Sequence, residues 1–154
     1  MTSKLILFIS WLVALSVSAS GQTKIPPSVT RAIVGQMIVN GDIQSSCSVD
    51  IYPEYLNGDR QPEYVVSGKG SCCGGARRCN LWIYQKTVAG YRKIYGDKDG
   101  LQGDIEILKT RTNGYLNIRS SMYSGEMTYQ ATSKFDGRAY QVDKKSLKSI
   151  RTGF

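Results

Sequence analysis

Histidine is absent from all 154 residues. That removes histidine triads, imidazole metal ligands and the usual acid–base group of neutral pH. Acid is scarce: 12 Asp and Glu stand against 20 Lys and Arg, a net charge of +8. No phosphate loop, dinucleotide fingerprint or serine-nucleophile elbow occurs. "GKGSCCGG" is glycine-rich, but it lacks phosphate-loop spacing and precedes a strand pattern, so it reads as a disulfide loop. No long basic run or specific nucleic-acid motif accompanies the positive charge.

What is present begins with "MTSKLILFISWLVALSVSASGQ". Lys4 precedes an apolar run from Leu5 to Leu15 and then small residues, the order of a secretory signal. The run is shorter than the roughly 20 residues of a membrane span. Residues 1–21 are therefore expected to be a signal peptide that directs the chain to the periplasm or outside the cell. Cleavage is expected after Ala19 or Gly21, leaving no membrane span. No cysteine follows the run to carry a lipid anchor. Residues 22–154 then form a single β-rich domain, long enough to enclose a core.

The charge is spread, with denser spots at "GGARRC", "YRK" and "DKKSLKSIR". A positive surface favours anionic glycans, lipid headgroups or nucleic acid; the plainer reading is solubility charge. Cys47, Cys72, Cys73 and Cys79 are an even set in an exported chain, which points to two disulfides. A bridge between neighbours Cys72 and Cys73 is disfavoured, because their Cα spacing of about 3.8 Å is below the usual disulfide range. One of them joins Cys79 and the other joins Cys47. The short loop "CGGARRC", with two glycines, favours Cys73–Cys79, and the choice stays open on sequence alone.

"SVTRAIVGQMIV" carries Val29, Ala32, Ile33, Met37 and Ile38 at helical spacing, with Ser28 as N-cap and "NGD" at 40–42 as the stop. A helix is expected over about 28–39, its apolar stripe turned to the core. From Cys47 the text changes to short β-type runs: "VDIY", "EYVVS", "NLWIYQK", "YRKIY", "DIEIL", "YLNIRSS", "MTYQATSKF" and "RAYQV". "VAG" at 88–90 and "FDG" at 135–137 are hairpin signals.

The chain repeats a shape. "PEYVVS…NLWIYQKTVAGYRKIY" is followed by "GYLNIRSS…MTYQATSKFDGRAYQV", with Tyr64 matching Tyr115 and Tyr91 matching Tyr140. Repeats of about 50 residues with three or four strands suggest blades, and two blades cannot close a ring. The expected fold is mainly β: two tandem blade-like antiparallel β units, about 47–95 and 103–143, packed as one small domain with one N-terminal α-helix.

"YLNGDRQPEYVV" resembles the calcium-loop segment of FG-GAP and VCBS-type repeats, as in integrin-like propellers and many exported bacterial proteins. With "LWIY…GYRKI", "LKTRTNGYLNI" and "FDGRAY", residues 47–142 look like a small family of exported bacterial proteins related to those repeats. The resemblance implies a calcium loop with ligands at Asn57, Asp59 and Glu63. The first ligand position departs from the pattern: it holds Tyr55 where the repeats have Asp. Calcium wants 6–8 oxygens, and Glu54, one residue out of phase, points the other way along an extended strand. The plainer reading makes Asn57-Gly58 a hairpin turn and Pro62 the strand's first residue.

Paired-carboxylate hydrolysis of glycans is the remaining enzymatic reading, with Asp50, Glu54, Asp59, Glu63, Asp104 and Glu106 as its acids. Nothing in the sequence brings two of them together, and surface acids are the ordinary state. The function expected is an exported non-catalytic β domain, binding or structural, with no cofactor. A calcium-stabilised module is the first alternative. The partner is an unidentified protein or anionic surface ligand, met by Arg77 and Arg78 in the disulfide loop, whose guanidiniums suit carboxylate or phosphate.

Overall fold

A computed structural model describes residues 24–73, 79–96, 103–124 and 126–151. The leader expected at 1–21, Arg77 and Arg78 lie outside the described residues. Helix α1 spans Pro27–Asn40. Its N-cap is Pro26 and Pro27 opens the first turn, so Ser28 lies inside the helix rather than capping it. A proline ring preset for helical φ starts this helix without a side-chain cap. Gly41, in the left-handed region at φ 71°, ends it. Ile33 and Met37, one turn apart, are fully buried, and Val29 and Val34 flank them. Ala32 and Ile38 face solvent, so the buried stripe is narrower than the sequence pattern and leans toward Val34.

Eight strands follow. β1 (Ser48–Glu54), β2 (Glu63–Lys69), β3 (Leu81–Thr87) and β4 (Gly90–Tyr95) pair antiparallel in chain order as one sheet. β5 (Gly103–Thr112), β6 (Tyr115–Ser124), β7 (Met127–Phe135) and β8 (Tyr140–Arg151) form the second in the same way. The two four-stranded units are the expected repeat. Tyr64 and Tyr115 sit at the start of each second strand, and Tyr91 and Tyr140 at the start of each fourth.

The layers are helix, first sheet, second sheet. Tyr64, Val66, Trp82 and Tyr84 turn to Ile33 and Met37 of the helix. Val65, Leu81 and Ile83, the alternate residues, turn to Ile118, Phe135 and Tyr140 of the second sheet. β2 and β3 are thus buried on both faces, which is why "EYVV" and "LWIY" read as unbroken apolar runs. β7 alternates instead, as a strand with one wet face does. Cys47–Cys72 and Cys73–Cys79 are the two disulfides, and the first lies against the helix-side core. No helix among the described residues is long and apolar enough to cross a membrane.

Candidate functional site

The segment between β1 and β2 is an eight-residue loop, so Asn57-Gly58 is not a two-residue hairpin turn. Gly58 has φ 78°, but Asn57 is not at positive φ, as the turn type signalled by Asn-Gly would require. That turn is made in the second unit, where Asn113 (φ 49°) and Gly114 (φ 83°) join β5 to β6. Pro62 immediately precedes β2.

The loop holds itself by side-chain caps. Asp59 N donates to Asn57 Oδ1 at 3.0 Å and Gln61 N to Asp59 Oδ1 at 2.6 Å. Asn57 Nδ2 donates to Asp59 Oδ2 at 2.7 Å and to Tyr115 Oη at 3.3 Å. Leu56 N donates to Glu63 Oε2 at 2.9 Å. The hydrogen bonds that shape the loop therefore use the oxygens of Asn57, Asp59 and Glu63 that calcium would need. The loop already has a cation beside it. Arg111 reaches across from β5, donates to Leu56 O at 3.2 Å and Gly114 O at 2.7 Å, and would stand 3.6 Å from a side chain at Gly58. Leu116 N also donates to Leu56 O, at 2.7 Å, so the loop ties the two sheets together. Tyr55, which replaces the first carboxylate of the resembled motif, is 53% exposed and does not fill the loop.

Glu63 is 1% exposed. Burial pushes its carboxyl above the ordinary 4.5, and the Leu56 amide only partly offsets this. The β1–β2 register sets Glu54 opposite it, a juxtaposition of acids the sequence did not reveal. Glu63 is turned into the loop rather than toward an open surface. Asp50 pairs with Lys69 at 2.6 Å. Asp104 and Glu106 share the solvent face of β5, where Tyr123 and Arg119 bond them at 3.1 and 2.9 Å.

An open cleft of about 540 Å³ lies between the free edges of β4 and β8. Lys93, Tyr95 and Gly96 form one wall, and Ser133, Tyr140, Val142 and Lys144 the other. Gly96, at φ 94°, closes against β3: a Cβ there would meet Leu81 O at 2.5 Å, so only glycine fits. Lys93 is held by Asp42, Nζ to Oδ1 at 2.5 Å, and the same carboxylate accepts Tyr84 Oη at 2.6 Å. Asp42 follows the helix stop, and its side chain is fully buried, so it fastens α1 to β3 and β4. Burial, reinforced by this bond, pushes the Tyr84 phenol far up.

Sequence reasoning marked "YRK" and "DKKSLKSIR" as basic but did not place Lys93 and Lys144 on one cleft. The pairing of sheet edges that makes the cleft is not local information. The geometry defines a class: a helix-covered, disulfide-bonded pair of β-meanders with an open cleft between two sheet edges. No family model, no curated protein and no solved structure matches the chain.

Proposed function

We propose that the chain is an exported, non-catalytic β domain that binds an anionic ligand at the periplasm or cell surface, and that its FG-GAP/VCBS-like loop is kept for shape. The observation behind this reading is the cleft between β4 and β8, a concave site lined by Lys93, which Asp42 holds, and by the exposed Lys144. Five of the six acids named for hydrolysis are engaged elsewhere: Asp50 in an ion pair, Asp59 and Glu63 in loop caps, Asp104 and Glu106 in bonds on the solvent face; Glu54 lies opposite Glu63 in the β1–β2 register. The two disulfides fit an oxidising compartment.

The test is a binding panel of surface glycans and anionic vesicles passed over the purified, oxidised protein, with product analysis of each ligand. Saturable binding with the ligand recovered intact is expected. New reducing ends would overturn the non-catalytic reading, and silence across the panel would overturn the binding one.

A further inference from the structure

We infer that the Cys73–Cys79 disulfide is a reversible redox site, opened by an external dithiol while the fold stays closed, with Cys79 as the sulfur that leaves as thiolate. The two disulfides start from neighbouring residues in opposite surroundings. Cys72 is 8% exposed and packs among Val66, Trp82 and Tyr84 under the helix. Cys73 and Cys79 are both half-buried. They form an isolated antiparallel bridge beyond the β2–β3 ladder, which ends at Ser67–Leu81. Gly68 makes room for the inner bridge: a Cβ there would meet Cys72 Cβ and Cys72 O at 3.0 Å.

Reduction begins when a thiolate attacks one sulfur of a disulfide and the other sulfur leaves with the electron pair. The Cys47–Cys72 bridge resists from either side. Burial shields the Cys72 sulfur from attack. Attack on Cys47 would leave a thiolate on Cys72 inside an apolar core, an unfavourable place for a charge. This bridge also ties the segment after α1 to the end of β2, 25 residues on, so it fastens two layers of the fold. The other bridge spans six residues and joins positions that the sheet already sets opposite each other.

The two sulfurs of the outer bridge are not equivalent. Gly68 O lies 3.4 Å from Cys73 Sγ. A thiol on Cys73 can donate its S–H to that carbonyl, whereas a thiolate there would face a partial negative charge. The attacking thiolate therefore takes Cys73 into a mixed disulfide, and Cys79 leaves as thiolate in half-exposed surroundings and is protonated by solvent. The second thiol of the dithiol then attacks its own sulfur in the mixed disulfide. Cys73 leaves, taking up a proton, and the dithiol departs as its disulfide. Two electrons and two protons pass to the cysteines. Gly68 N still donates to Asn80 O at 3.0 Å, and the ladder from Ser67–Leu81 persists, so Cys73 and Cys79 stay opposite one another and a small oxidised thiol reseals the same pair.

The test treats the oxidised protein with dithiothreitol, samples it in time, blocks free thiols with iodoacetamide and maps the labelled peptides by mass spectrometry. Cys73 and Cys79 should label together, while Cys47 and Cys72 stay unlabelled until urea unfolds the chain. The melt should remain cooperative after the first step, and oxidised glutathione should restore the original pairing. Reduced glutathione in place of the dithiol should leave its adduct on Cys73. Cys73→Ser combined with Cys79→Ser should melt cooperatively and lose only the first labelling step. Labelling of all four cysteines together, or of Cys47 and Cys72 first, overturns the redox site. Loss of the cooperative melt at the first step, or failure of the double variant to fold, makes the bridge structural and overturns it as well. A glutathione adduct on Cys79 overturns the assignment of the leaving sulfur.

Discussion

The two sheets share one strand plan and differ in what covers them. The first has strands of six or seven residues, a helix on one face and the second sheet on the other. The second has strands of nine to twelve residues and a solvent face carrying Arg119–Glu106 and Lys134–Asp143 pairs. The same repeat therefore serves two purposes: one unit is the middle layer, and the other is the outer wall that overhangs it. Stability should concentrate in the first sheet, and freedom to vary in the second.

The sharpest way to break that comparison is to remove one large side chain from each. Trp82 is 1% exposed and packs between β3 and the helix. Trp82→Ala should cost about 3–5 kcal/mol. Leu147, in the bulge that β8 makes between Asp143 and Lys148, is 60% exposed, and Leu147→Ala should stay within about 0.5 kcal/mol. Urea titrations of the oxidised protein measure both. Similar losses at the two positions would mean that the first sheet does not carry more of the stability than the second.

Next in size is the attachment of the helix. Asp42→Ala removes the partner of both Tyr84 and Lys93. With Lys93 a quarter exposed, a loss of about 2–3 kcal/mol is expected. Asp42→Asn keeps an acceptor for Tyr84 and should recover part of it. If Asp42→Ala is neutral, the helix is held by its apolar contacts, those of Ile33, Met37, Val29 and Val34, without this bond.

How far this was legible depends on the range of each interaction. β2 and β3 were plain because burial on both faces writes itself locally as "YVV" and "LWIY". The second unit was legible in part because Asp136-Gly137 is a turn signal confined to adjacent residues; Asn113-Gly114 is a signal of the same kind that the sequence reading did not single out. Asn57-Gly58 carries the same letters, but a loop braced by Arg111 and Leu116 from the other sheet overrode the local preference. Asp42 was read only as part of a helix stop, since its partners lie 42 and 51 residues away. Lys144 was one lysine among several until the pairing of sheet edges placed it on the cleft.

The two units also respond to acid in opposite directions. Glu63 has its folded pKa raised by burial. Unfolding then releases its proton, so its contribution to stability is full below pH 4.5 and declines as pH rises through the raised value. In the second unit the backbone amides of Ala139 and Arg138 hold Asp136 below the ordinary 3.8, and Lys134 does the same for Asp143. Their contribution is present above that value and is lost as pH falls. Glu63→Gln keeps an acceptor for the Leu56 amide and removes the titration. Its melting temperature relative to wild type should therefore climb between pH 4.5 and 7, while Asp136→Asn should lose its disadvantage below pH 3.8. A parallel pH profile for wild type and Glu63→Gln would show that the loop carboxylate is not desolvated in solution.

The smallest expected effect concerns the loop itself. The oxygens of Asn57, Asp59 and Glu63 are engaged by N–H groups, and Arg111 already brings positive charge to Leu56 O and Gly58. Calcium would have to break those caps and then sit beside a guanidinium, with no carboxylate at Tyr55 to add charge. Melting in millimolar calcium and in chelator should therefore coincide. A ligand at 100 times its dissociation constant would raise stability by about 2.7 kcal/mol, which such a melt detects easily, so a calcium-dependent rise would return the loop to the metal-binding role of the repeats it resembles. Arg111→Gln sharpens the test, because it withdraws the resident cation and leaves the caps. If the loop's shape depends on positive charge at that place, the variant should melt lower than wild type in chelator and recover in calcium; if the caps alone suffice, it should be indifferent to both.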